Sequence, residues 1–137
     1  MTTAREALVD RLKNFDRLVE VGVGRQPEVA TALVERGCVV TATDVVERAV
    51  PDGVGFVKDD VTEPEKSVYA DAECVYGLNL PPELHRPAWD VAREFDADFL
   101  FTTLGSDQPS ISVDRETLPE GETLFVAKEG VPGNRRG

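Results

Sequence analysis

Apolar positions along the chain alternate between two spacings. Ala4, Leu8, Leu12 and Phe15 recur at helical intervals behind Thr3 and Glu6, which have capping-box spacing. They predict an amphipathic helix over residues 3–14. Leu18, Val19 and Val21 then make a short buried-strand run. It breaks at Gly22 and Gly24 and restarts at Pro27 as a helix over 27–36 carrying Val29, Ala30, Leu33 and Val34. That helix stops at Gly37, and Val39 and Val40 with flanking threonines predict a second strand closing on Asp44. A strand–helix–strand unit of about thirty residues has the size of a right-handed parallel crossover.

Downstream, residues 45–54 are too short and too interrupted by Pro51 and Gly53 for a crossover helix. Gly55–Lys58 reads as a third strand, ending in Asp59 and Asp60. Glu65–Asp71 reads as a two-turn helix started by Pro64, and Glu73–Leu78 as a fourth strand. Asn79–Pro82 is a loop, and Ala88, Val91, Ala92 and Phe95 mark a helix with Pro87 at its entrance. Asp98–Thr103 is a fifth strand and Thr123–Ala127 the last, with residues 111–114 as its pairing candidate. Strands alternating with helices imply a parallel sheet covered on both faces, and the nearly continuous apolar strands agree. The expectation is an α/β, Rossmann-like three-layer αβα sandwich. Its mostly parallel sheet has order 3-2-1-4-5, with an antiparallel strand at the carboxyl-terminal edge. Residues 1–130 form a single domain, followed by a flexible tail at 131–137.

Charge narrows the function classes. The net charge is −11, and Lys13, Lys58, Lys66 and Lys128 are the only lysines beside eleven arginines. Many acids with few lysines are the composition of halophilic proteins from a high-salt cytoplasm, where salt screens the self-repulsion; an ordinary acidic protein is the alternative. Either way a broad nucleic-acid face is disfavoured, since only Arg135 and Arg136 cluster. No apolar run reaches the ~18 residues of a membrane helix, and the charged N-terminus has no signal-peptide core, so a cytoplasmic protein is expected. Cys38 and Cys74 fall on strands two places apart, too far for a disulfide, and are expected as buried thiols. No metal site is expected, since His85 is the only histidine and no cysteine pair has ligand spacing. His85 is a general base by type but has no partner in sequence, and reads as a surface histidine near a helix start; Trp89 reads as a packing residue. An exposed sheet edge leaves a homodimer open.

The candidate chemistry lies at the first bend. A strand that breaks into glycines and restarts as a helix suits an anionic ligand, because backbone N–H groups approach closely and the helix dipole adds attraction. In an open parallel sheet ligands sit at the carboxyl ends of the strands, at the topological switch point. Every conspicuous loop falls there: Gly22–Gln26, Asp44, Asp59–Asp60, Asn79–Pro82 and Gly105–Gln108. Each also has a plain reading. The glycines shape a turn, Asp44 is one surface acid among many, and Asp59 and Asp60 belong to a solvated acidic stretch.

Glu20-Val21-Gly22-Val23-Gly24 resembles the first motif of class I S-adenosylmethionine methyltransferases, an acid followed by a glycine-rich turn. The resemblance implies that Gly22 and Gly24 let the backbone approach the methionine part of that cofactor, and it makes the acid Glu20 a cofactor-binding candidate. It further implies that Asp44 meets the ribose hydroxyls and Asp59 or Asp60 the adenine amino group. Arg25 is placed to clamp the methionine carboxylate, or is simply solvated. Asn79-Leu80-Pro81-Pro82 sits where methyltransferases acting on base amino groups carry Asn-Pro-Pro-aromatic. Here Leu80 is inserted and Glu83 follows, so a loop and helix start is the better account. Gln26 stands at the turn's third glycine position, and the chain is shorter than a full seven-stranded methyltransferase. The whole chain resembles a small archaeal family of uncharacterised proteins with this trimmed fold. The rival is an NAD(P)-binding module, whose G-x-G-x-x-G would need a third glycine where Pro27 stands. A ligand-free interaction module also remains open. The implied ligand is a small nucleoside, S-adenosylmethionine ahead of NAD(P). Methyl transfer to an unknown acceptor stays open.

Overall fold

The computed structural model describes residues 3–129; the expected tail lies outside the described residues, together with Arg135 and Arg136. The first helix, α1 (Ala4–Leu12), starts on the capping box foreseen for it. Thr3 Oγ1 accepts the Glu6 N–H at 3.0 Å, and Glu6 Oε1 accepts the Thr3 N–H at 2.8 Å. There follow β1 (Arg17–Val21), α2 (Glu28–Glu35), β2 (Val39–Asp44), β3 (Gly55–Lys58) and β4 (Cys74–Gly77). The chain continues as α3 (His85–Glu94), β5 (Asp98–Phe101), β6 (Val113–Thr117) and β7 (Thr123–Ala127). Gly37 ends α2 with φ +93°, a left-handed residue that only glycine adopts without strain.

The sheet order is β3-β2-β1-β4-β5-β7-β6, with β1 to β5 parallel. The parallel part and an antiparallel carboxyl-terminal edge are as the pattern foretold, and the pairing candidate near 111–114 is β6. β7 pairs antiparallel with β5 and β6 antiparallel with β7, so the last strand in sequence lies inside the sheet and there are seven strands. Side chains explain the order. Leu124 and Phe125 of β7 are buried on opposite faces, as an inner strand requires, whereas Asp114, Arg115 and Thr117 of β6 are exposed, as suits an edge.

Strand alternation divides the interior into two cores. Leu18, Val40, Cys74, Tyr76, Leu100 and Leu124 pack under α1 and α2. Val19, Val21, Val75, Phe99, Phe101 and Phe125 pack under α3. Both cysteines are buried and free. Trp89 packs in the second core with the Arg93 guanidinium 5.3 Å over its ring. The two-turn helix expected over 65–71 is only a single 3-10 turn, Lys66–Val68. So short a segment gains too few hydrogen bonds to nucleate an α-helix. It is held instead by Tyr69, fully buried, whose hydroxyl donates to Asp59 Oδ2 at 2.8 Å. The β2–β3 and β3–β4 connections thus carry no α-helix, while the strands they join are intact. β1 lies between β2 and β4, so the chain reverses direction across the sheet there and leaves a crevice at the strands' carboxyl ends.

Candidate functional site

The crevice holds a cleft of about 220 Å³. Ala4, Arg5 and Leu8 of α1 form one wall, and Gly22, Val23, Gln26, Glu28 and Val29 form the bend and the start of α2. Leu78, Asn79 and Thr102 close the far side, with Glu122 at the rim and Glu20 lining the interior. Gly22 and Gly24 have φ +73° and +61°, so their backbone is left-handed as the glycine turn required. α2 begins at Pro27 with no side-chain cap, leaving first-turn N–H groups free beside the cleft.

Glu20 is the unusual group. It is 2% exposed, and Oε1 accepts the Tyr76 hydroxyl at 2.8 Å. Glu20 and Tyr76 are register partners on adjacent parallel strands, which puts the two side chains on one face. Burial pushes the carboxyl up to about 7, against the opposing pull of the Tyr76 hydrogen bond and with help from the nearby Glu28 charge.

Asp44 closes onto the bend. Its Oδ2 accepts the Gly24 N–H at 2.8 Å and its Oδ1 the Val46 N–H at 3.1 Å. Arg48 Nε stands 3.4 Å from Oδ2, yet this buried N–H makes no hydrogen bond among the described residues. Burial pushes the Asp44 carboxyl up, but the Gly24 and Val46 N–H groups and Arg48 outweigh it and hold it below the ordinary carboxylate value. An acid and a glycine bend with a ligand spanning the gap was the expectation. The two are bonded directly, so a nucleoside would have to lie over this pair rather than between its members.

The other expected residues divide. Asn79 lines the cleft in a left-handed conformation (φ +51°), its N–H donating to Thr102 Oγ1 at 2.8 Å. Asp59 is outside the cleft, with Oδ1 accepting the Glu65 N–H and Oδ2 the Tyr69 hydroxyl, both at 2.8 Å. Asp60 is exposed, and its Oδ1 takes the Thr62 N–H and hydroxyl. Arg25 is exposed and does not line the cleft; Arg5 is the cation that does. His85, read as a surface residue, is fully buried. Its Nε2 lies 2.9 Å from the Leu80 carbonyl, its Nδ1 accepts the Ser110 N–H at 3.2 Å, and its ring packs 4.3 Å from that of Phe101. It pins the Asn79–Pro82 loop to the loop after β5.

Arg5, Tyr76, Thr102 and Glu122 were not anticipated. Only Tyr76 left a signal, being an aromatic with a polar tip on a buried strand. The other three reach the cleft through packing between segments far apart in sequence.

Comparisons with known proteins agree with this fold. A relative from Halobacterium salinarum is 51% identical over 119 residues, spanning 86% of this chain and 92% of its own. Among solved structures, a TehB-like SAM-dependent methyltransferase from Corynebacterium glutamicum superposes with TM-score 0.60 at 15% identity, covering 91% of this chain and 88% of that one. An RNA methyltransferase from Salinibacter ruber in complex with S-adenosyl-L-homocysteine gives TM-score 0.55 at 19% identity, covering 91% and 93%. The fold is that of Rossmann-like methyltransferases. The model of the uncharacterised protein family UPF0146 matches residues 3–130, and the chain belongs to that family.

Proposed function

We propose that the chain binds S-adenosylmethionine, or its homocysteine product, at the carboxyl ends of β1, β2 and β4. The observation that carries this reading is the cleft itself: a left-handed glycine bend, an uncapped helix start and a buried acid converge on one space. At about 220 Å³ it is below the ~300–1,000 Å³ of sites that enclose a whole drug-sized ligand. It therefore takes the amino-acid half. The carboxylate faces Arg5 and the free N–H groups of α2, and the ammonium faces Glu20. The nucleoside lies outside, over Asp44, beside the exposed apolar side chains of Val45 and Val46. A carboxylate has about four acceptor positions. Asp44 uses two for backbone N–H groups, so ribose hydroxyls can be accepted if Arg48 swings aside.

The solved methyltransferase with bound S-adenosyl-L-homocysteine supports this choice of ligand. The sheet supports it over a dinucleotide, because dinucleotide-binding sheets continue with a sixth parallel strand where β7 runs antiparallel. Methyl transfer is the activity that follows. Displacement at a sulfonium needs an acceptor held in line more than it needs an acid or base. Asn79, fixed by Thr102 on the cleft's far side, is placed to position one.

Titration calorimetry in molar potassium chloride tests the reading. Adenosylmethionine and adenosylhomocysteine should both bind the wild type, and Asp44→Ala should bind each at least tenfold more weakly. Thermal-shift measurements with NAD and NADP should show no rise in midpoint, since only a ligand of the folded state raises it. Absence of heat with either adenosyl ligand removes the proposal, and a shift with NAD alone replaces it.

A further inference from the structure

We propose that the chain carries a second small-molecule site, over its antiparallel strands, for a zwitterion of the amino-acid class. It stands apart from the adenosyl reading above and needs no adenosyl ligand. The site is a crevice of about 330 Å³ where the β5–β6 loop meets the sheet. Thr103, Asp107 and Gln108 of that loop line it, with Arg115 of β6, Glu122 of the β6–β7 turn and Phe125 of β7. Its volume is at the small end of the ~300–1,000 Å³ of sites that enclose a ligand.

Three observations carry it. First, Arg115 is a cation held in place and left unspent. It is the register partner of the buried Phe125, and its guanidinium lies 5.4 Å over that ring. The charges on either side of it are used: Asp114 pairs with Lys128 at 2.9 Å and Glu116 with Arg11 at 2.8 Å. Arg115 itself makes no ion pair among the described residues. Stacking engages the face of the guanidinium and leaves its edge N–H groups for a planar carboxylate. Second, Asp107 and Glu122 line the same crevice, and neither carboxylate accepts a hydrogen bond or joins an ion pair among the described residues. A lone anion would meet two acids there, and a lone cation would meet a guanidinium. An apolar molecule would strip water from all three charges and return nothing. A molecule with a carboxylate for Arg115 and an ammonium for the acids satisfies the whole set. Third, the turn that carries Glu122 is built at a cost. Glu120 and Gly121 are successive left-handed residues, φ +75° and +85°, and the first is not a glycine. Beyond them Glu122 lines both this crevice and the cleft at the β1–α2 bend. Thr102 lines the cleft and Thr103 the crevice, so the two spaces adjoin at the end of β5.

The experiment is an amide-shift titration of the nitrogen-labelled full chain at neutral pH, in the lowest potassium chloride concentration that keeps it folded, since salt screens these charges. The probes are glycine, β-alanine, γ-aminobutyrate and 6-aminohexanoate, with butyrate and butylamine as single-charge controls. At least one of the four zwitterions should move the Gly105, Gly121 and Thr123 amides with a millimolar Kd and leave those of Gly22 and Gly24 in place. It should bind about tenfold more tightly than either control, because each control loses one charge-assisted contact. Arg115→Gln and Glu122→Gln should each weaken it by about the same factor. Arg115→Lys keeps the charge without the fork and should fall between wild type and Arg115→Gln. Arg115 is exposed, so its variants keep the fold. The site is overturned if no zwitterion moves those amides, or if Arg115→Gln binds as wild type does. Butyrate binding as tightly as the best zwitterion would reduce it to an anion site and overturn the assigned class. Shifts at Gly22 and Gly24 that Arg5→Gln abolishes would put the amino acid in the other cleft and likewise overturn it. The adenosyl reading stands or falls on its own titration.

Discussion

Asp44 and Gly24 meet across two segments through a 2.8 Å hydrogen bond from the glycine N–H to the carboxylate. The bond ties the end of β2 to the bend after β1, so the acid expected to serve a ligand already serves the fold. Asp44→Ala leaves the Gly24 and Val46 N–H groups without this acceptor and should cost about 1.5–3 kcal/mol, the usual worth of hydrogen bonds to a charged group. The folded carboxyl is held below its ordinary value, so its contribution is full at neutral pH and lost as pH falls through that lowered value. Urea unfolding of wild type and variant should therefore converge in acid. A gap that stays constant down to pH 3 contradicts this assignment.

Glu20 has the opposite sign. Its carboxyl is raised to about 7, so the folded state binds this proton more tightly than the unfolded chain does. Stability from it is complete below about 4.5 and lost as pH rises through 7. Glu20→Gln should thus stabilise the ligand-free protein at pH 8, by up to roughly 3 kcal/mol at 1.36 kcal/mol per unit, and have little effect at pH 4. Equal effects at both values would mean that the carboxyl is ionised throughout.

His85 joins two loops as a neutral ring. Burial lowers its affinity for a proton, and the Leu80 carbonyl opposes this only in part. Protonation would also cost the bond in which Nδ1 accepts the Ser110 N–H. Stability from the neutral ring is present above pH 6.5 and declines as pH falls through its lowered value. His85→Leu should lose about 1–3 kcal/mol at pH 8, because the Ser110 N–H and Leu80 carbonyl lose a buried partner. It should also flatten the acid limb of the stability profile. An acid limb identical to wild type would show that His85 does not titrate there.

Tyr69→Phe separates structural from ligand roles at Asp59. It removes the hydroxyl bonded to Asp59 and should cost about 1–3 kcal/mol in urea unfolding. The affinity for adenosylhomocysteine should not change, since neither residue lines the cleft. A tenfold loss of affinity would return Asp59 to the site.

Local chemistry was legible without coordinates. Thr3 and Glu6 announce α1, Gly37 ends α2, the apolar runs mark the strands, and the β1–α2 bend follows from two glycines whose left-handed φ few other residues tolerate. The parallel order of the first five strands also follows, because short connections and right-handed crossovers leave few alternatives. Three matters were decided only by tertiary packing. β7 inserted between β5 and β6 because its two apolar faces needed burial on both sides, which no spacing rule encodes. Arg5 rather than Arg25 reached the cleft because α1 packs against the bend while Arg25 projects outward. His85, Asp59 and Asp44 found partners 5 to 25 residues away, so their polar atoms serve the fold before any ligand. Backbone preference is a property of neighbours in sequence. Which polar atoms meet in the interior depends on how the finished layers stack.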